Sequence, residues 1–392
     1  MRRAKCRGFP WLIAAVAATA GCGAKQPTSP ELVVREGYRV TVAVEDLPGA
    51  RFLEMDASGT LYVSRPQRGD IVSLRDEDGD GVFELRRTFV SGYASAHGMH
   101  LHDGWLWFST STGVHKARDT TGDGIADEVV DIFPRGSLTG RGGHWWRSLL
   151  VTDEYFFTSV GDTGNISDER GSDRQKIFRY RHDGSDKTLW SSGIRNTEKL
   201  RMRPGTEEIW GFDHGSDWFG QRHGDKQGNQ PITDLWPPEE LNKYVRGGFY
   251  GHPFITGPRI PRPEYHDHPE LHELAAKTIP PEMNLPAHWA INGWAFIEPS
   301  RNKGALPREH EGDVYFAAHG SWNSTEPVGY CIGRVLFDEG KPYGMLQIVK
   351  GFDSRGRVTA RPVDVVQAPD GRLFFSTDAP RGMVFRLEWV GP

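Results

Sequence analysis

Residues 143–165 place a histidine, His144, and an aspartate, Asp162, on either side of an apolar run, Tyr155–Val160. An imidazole steered by a carboxylate is the arrangement expected of a general base. A short hairpin or strand pair would bring the two side chains together. Other polar groups recur in short loops further along: His97, Arg195-Asn196, the run His214-Gly215-Ser216-Asp217, His288, His319 and Arg361. Each alone is ordinary, since a single loop histidine is usually solvated or hydrogen-bonded locally. Their recurrence at a regular interval is what needs a fold to explain it.

The interval is set by a strand signal. Leu61-Tyr62-Val63-Ser64 recurs as Leu106-Trp107-Phe108-Ser109, Tyr155-Phe156-Phe157-Thr158, Ile209-Trp210-Gly211-Phe212, Val314-Tyr315-Phe316-Ala317 and Leu373-Phe374-Phe375-Ser376. Successive copies lie 45, 49, 54, 105 and 59 residues apart. Six copies at this spacing predict an all-β fold, a six-bladed β-propeller over residues 34–392. The long fourth interval predicts a Pro/His-rich insertion at about 220–286, with a short helix near 269–277. Alternating residues 38–44 and 383–389 are the expected closing strands, joining the two ends in one blade. In this architecture the polar loops converge on one face around the axis.

Two Asp/Gly-rich loops, 76–84 and 119–127, lie one blade apart. They resemble Ca²⁺ loops but lack the acidic residue at the twelfth position, where Arg87 and Val130 stand. An Asp/Gly hairpin is the simpler reading. His266, Asp267, His268 and His272 are read as surface groups, not a zinc cluster, because no cysteine accompanies them.

Residues 1–21 are expected to be a targeting signal: Arg2, Arg3, Lys5 and Arg7 precede an apolar run ending in Thr19-Ala20-Gly21-Cys22. The box predicts a lipid anchor on Cys22, a polar tether over 22–33 and a place in the cell envelope or periplasm; plain secretion is the alternative. Cys331 is the one cysteine of the body, so no internal disulfide forms. The net charge is −5, and −9 without the four basic leader residues. An acidic body gives no support to nucleic-acid binding.

The ordered motifs GGH, VGDTGN, SSGIRN, HGSDWFG, EELNKYVRGGFYGHP, HGSWN and ARPVDVVQAPDG resemble the soluble quinoprotein glucose/sorbosone dehydrogenases over nearly the whole mature chain. The resemblance implies pyrroloquinoline quinone (PQQ) and Ca²⁺ as cofactors and a small sugar or aldehyde as substrate. It implies His144 as general base, Asp162 as the carboxylate holding it, and Arg195 as the charge over the quinone oxygens. Asn196, Arg361, His97 and His319 would bind the cofactor. Gly215 and Ser216, with Asp217 or Glu240, would ligate Ca²⁺. No haem motif is present, so electrons would leave to a separate quinone or cytochrome acceptor. The chain departs from the family at Val363, where a second arginine is usual, and at Trp145-Trp146 after the histidine. Two other classes stay open: a catalytically silent propeller binding a glycan or protein, and a Ca²⁺-dependent lactonase. The Arg195/Arg361 pair argues against the lactonase, since arginines repel a central cation.

Overall fold

A computed structural model describes residues 11–14, 29–225, 230–302 and 304–391. The expected leader and Cys22 anchor lie outside these residues, apart from a short strand, Trp11–Ala14, paired antiparallel with Leu32–Arg35.

Among the described residues the strands form seven sheets, six of them blades and the seventh the small pair Ile255–Thr256 and Ile260–Pro261 in the insertion. The first blade runs through Leu53–Met55, Leu61–Arg65, Asp70–Arg75 and Leu85–Ser91. The second and third begin at Met99–His102 and Leu149–Val151. The fourth, fifth and sixth begin at Leu200–Met202, Ile291–Phe296 and Arg361–Gln367. Each of the six repeated motifs is the second strand of its blade. These strands are covered on both faces; Leu61–Arg65, Ile209–Asp213 and Val314–Ala318 are buried throughout. That explains why they read as unbroken apolar runs instead of alternating ones.

Closure follows the expected route. Tyr38–Val44 pairs antiparallel with Met383–Trp389 as the outer strand of the sixth blade. The fourth interval is long because blade four carries two excursions, on either side of its third strand, Glu239–Tyr244. The second contains the helix Leu271–Lys277 and a two-residue strand, Gly248–Phe249, which pairs parallel with the last strand of blade three.

Apolar contacts collect between neighbouring blades. Leu53, Val63, Phe374 and Val384 fill the first–sixth interface, for example, and Leu200, Ile209, Phe157 and Ile177 the third–fourth. The innermost strands contact one another around the ring, so they line the axis. There the packing turns polar: Lys199 pairs with Asp364 at 2.6 Å, Arg201 with Glu54, and Arg51 with Glu198 at 3.2 Å.

Candidate active site

The polar loops meet where the innermost strands start. Arg51, His97, Arg147, Glu198 and Arg361 all sit at or just before these starts. The shared face is therefore a consequence of blade orientation.

His144 enters through a tight loop. Gly143 has φ +53°, and a Cβ there would lie 2.2 Å from the Thr163 carbonyl oxygen; a Cβ on Gly161 would lie 2.1 Å from the Arg195 oxygen. Glycine at both places lets the histidine loop, the 161–164 turn and the Arg195 backbone close on each other. The amide of His144 donates to the Asp162 carbonyl at 2.8 Å, and the ring Nδ1 contacts the same oxygen at 3.1 Å. A carbonyl only accepts, so Nδ1 carries the proton and Nε2 presents a lone pair. Burial, then the positive field of Arg195 and His214, pulls the His144 pKa down to about 3. The ring is neutral at physiological pH.

The expected role of Asp162 is corrected in its atoms. Its carboxylate does not meet His144. It accepts from His252 Nε2 at 2.7 Å, Gly164 N at 2.6 Å, Ser167 N at 2.8 Å and Gln175 Nε2 at 3.2 Å. The Asp162 carbonyl, not its side chain, meets the histidine loop. Burial alone would raise this carboxyl; the His252 contact and the surrounding N–H groups outweigh it and hold the pKa well below the usual range. His252 was not singled out from the sequence. Its one signal was the motif YGHP, and its partner lies 90 residues away.

Arg195 is 4% exposed. Its guanidinium donates to the Asn165 carbonyl at 3.0 Å and to Asn165 Oδ1 at 2.9 Å, and meets Asp217 at 3.3 Å. Asp217, expected as a Ca²⁺ ligand, is a partner of Arg195 in this structure. Asn196 donates from Nδ2 to Glu198 and His214, leaving its buried Oδ1 without a partner. His97 is wholly buried, between Phe52 and Trp146 and 3.3 Å from Glu198, so its ring is covered and does not line a pocket. His319 Nε2 meets Asp378 at 2.9 Å. Arg361 donates to the carbonyls of His319 and Gly320, both at 3.1 Å. Val363, which stands where the resemblance implies a second arginine, is fully buried in the core between the first two blades.

Trp145 and Trp146 stack at 3.7 Å. The Arg51 guanidinium lies 4.4 Å from the Trp146 ring centre and also binds Asp378 at 3.0 Å. Arg51 reaches from blade one across the axis to Glu198 of blade four, a role the sequence did not reveal.

A small cavity, about 20 Å³, is lined by Arg195, Asp213, His214, Gly215, Ser216, Glu240, His252 and Arg262 among others. His144 and Arg361 are not among its walls. Burial raises Asp213 to about 6 and Glu240, beside the Asp213 charge, to about 8. Once deprotonated, these carboxyls and the Gly215 and Ser216 backbone are oxygen donors of the kind Ca²⁺ takes, with Arg195 and Arg262 in the same walls opposing its charge. Arg195 and Arg361 carry the positive charge an anionic cofactor requires, that of Arg195 partly offset by Asp217 and that of Arg361 met by two backbone carbonyls. The residues present therefore fit both groups, with one arginine fewer than the resemblance implies.

In the first Asp/Gly loop, Asp76, Asp78, Asp80 and Glu84 converge within 4.8 Å; among the described residues no other acidic or histidine group does so. Both loops fold their leading aspartate onto two glycine amides, Asp76 onto Gly79 and Gly81 and Asp119 onto Gly122 and Gly124. The His266–His272 region forms no such group.

Residues 32–257 and 268–389 match the TrAA12-like family model. The chain belongs to the TrAA12-like family. An uncharacterised protein of Borreliella burgdorferi is 28% identical over 190 residues, 47% of this chain, which spans 45% of that protein. One of Synechocystis is 25% identical over 93% of this chain and 88% of its own. An aldose sugar dehydrogenase of Escherichia coli is 23% identical over 72% of each. The holo pyranose dehydrogenase PQQ domain of Coprinopsis cinerea superposes with a TM-score of 0.76 at 20% identity, over 93% of this chain and 98% of that one. The six-bladed fold of this TrAA12-like chain is thus shared with PQQ-carrying proteins.

Proposed function

We propose that this chain is a PQQ-dependent oxidoreductase acting on an aldose or a sorbosone-like aldehyde, with His144 as general base. The observation that carries the reading is the His144 imidazole, pinned at Nδ1 by the Asp162 carbonyl and bare at Nε2, beside the buried Arg195. When bound, PQQ supplies the two-electron acceptor for a substrate hydride. Nε2 of His144 takes the substrate hydroxyl proton as that hydride departs, and the nearby Asp162 carboxylate stabilises the resulting imidazolium. Arg195 offers fixed positive charge where negative charge develops, without reorganisation at that moment. Gly215, Ser216 and Glu240 would hold Ca²⁺, and Arg361 a cofactor carboxylate. The stacked Trp145-Trp146 pair walls the sugar side. An anchored, periplasmic location and a separate quinone or cytochrome acceptor complete the reading.

The test is reconstitution of purified apoprotein with PQQ and Ca²⁺, followed by dye-linked reduction with aldoses and aldehydes. Micromolar PQQ is expected to bind and to support turnover. His144→Ala should abolish turnover while leaving PQQ binding largely intact. Absence of PQQ binding would sink the reading, and unchanged turnover in the variant would remove His144 as base.

A further inference from the structure

The insertion reaches the base through a second histidine. Gly248–Phe249 adds to the edge of blade three, pairing with Ser191 and Ser192. The next residues continue along that edge: Tyr250 N donates to Ser192 O at 2.9 Å and His252 N to Gly193 O at 3.0 Å. Gly251, at φ +98°, then turns the chain, with the Ile255 carbonyl so close that a Cβ would lie 2.8 Å from it. This path delivers His252, 8% exposed, to the wholly buried Asp162 carboxylate.

Asp162 is a two-sided hub. Its carbonyl takes both hydrogen bonds from His144, and its carboxylate takes the one from His252. Of the four groups bound to that carboxylate, Gly164, Ser167 and Gln175 belong to blade three and its loop; His252 alone comes from the insertion. An ionised carboxylate only accepts, so His252 donates from Nε2, and its own tautomer is fixed.

We propose that His252 is a positioning residue that acts through Asp162 to hold the His144 ring with Nδ1 protonated and Nε2 bare. The Asp162 carbonyl meets His144 and its carboxylate meets His252, so the two contacts brace one residue from two sides. The short His252 bond, charge-assisted and buried, holds that residue in place. Without that donor the carboxylate keeps its bonds from Gly164, Ser167 and Gln175 but is left one short in a buried site, which loosens the residue whose carbonyl holds Nδ1. The contact to Nδ1 would then weaken, and both the orientation and the tautomer of His144 would be released. Groups that support a reacting residue in this way typically matter about 10–100-fold when removed.

This inference rests on the proposed role of His144, and the experiment separates the two. His144 in the full-length apoprotein is followed by imidazole ¹⁵N shifts, which report the tautomer without any cofactor or substrate. His252→Leu should convert His144 from a single Nδ1–H tautomer to a mixture. After reconstitution with PQQ and Ca²⁺, kcat should fall about 10–100-fold with KM little changed. His252→Asn, whose amide N–H can donate to the same carboxylate, should restore most of the tautomer bias and of kcat. Thermal melts of both variants identify any loss of fold, and all measurements are made well below the transition. An unchanged His144 tautomer in folded His252→Leu overturns the proposal, as does an asparagine variant no better than leucine. A wild-type protein with no turnover on any sugar defeats the functional reading but leaves the tautomer result to decide this one.

Discussion

Trp145 and Trp146 differ in what each ring touches. Trp146 packs against Trp145, Arg51 and His97. The outer face of Trp145 is the one a sugar ring can stack on. Trp145→Ala is therefore expected to raise KM for an aldose about tenfold, equal to roughly 1.4 kcal/mol of lost binding, with kcat nearly unchanged. Steady-state kinetics decide it; a fall in kcat at constant KM would place the ring in the chemistry instead. His144 and Arg195 were legible because loop position and residue type are both local properties. The contacts of Asp162, Arg51 and His252 were not. Which end of Asp162 faces His144 depends on a backbone turn, and Arg51 finds Glu198 only because blades one and four oppose each other across the axis.

At the level of elements, the repeat was readable because the second strand of every blade is buried on both faces and so is written in aromatic and β-branched residues. The third strand of blade four, Glu239–Tyr244, was hidden for the opposite reason. Its pattern EELNKY carries two acids and an asparagine, of which Glu240 lines the cavity, and all but Lys243 are buried. Polar residues bought for function thus erase the strand signal. Closure was readable from alternation alone: Val40 lies in the interface core, while Arg39 faces outward to Glu388 at 3.0 Å. Because this strand joins the chain start to the last blade through its ladder with Met383–Trp389, Val40→Asp should lower the melting temperature by several degrees, for a buried charge at a site that excludes water. Calorimetry checks it. A melting temperature equal to wild type would mean that the closing strand adds little to the stability of the ring.

At the scale of the whole molecule, the ring has no single apolar centre. Six interblade cores surround an axis held by buried ion pairs, and the two respond to different stresses. Lys199 and Asp364 are 4% and 0% exposed at the side chain, and Asp364 also accepts from Leu53 N at 2.8 Å. Lys199→Met leaves that carboxylate uncompensated, so a loss of about 3–5 kcal/mol is expected in urea unfolding. Acid acts on the cores through histidine. Between blades five and six, His310 is 6% exposed and shares a hydrogen bond with Tyr315 Oη at 3.0 Å. Burial, then the charge of Arg334, lowers its pKa from 6.5 to about 3, close to the value for His144. Above 6.5 the ring is neutral in both folded and unfolded chains, and its full contribution is present. As pH falls from 6.5 toward 3, the unfolded chain gains protons that the folded chain refuses, so stability declines through that window. The Asp162 and Glu198 carboxylates, held below their ordinary range, add a loss of the same sign at lower pH. The urea midpoint is therefore expected to drop steadily on acidification from pH 7 to pH 4. His310→Gln, which keeps a hydrogen-bonding partner for Tyr315 but cannot be protonated, should show a shallower slope over that range even if its midpoint at pH 7 is lower. Parallel slopes for variant and wild type would remove His310 from the account and leave the acid response to the histidines and carboxylates around the axis.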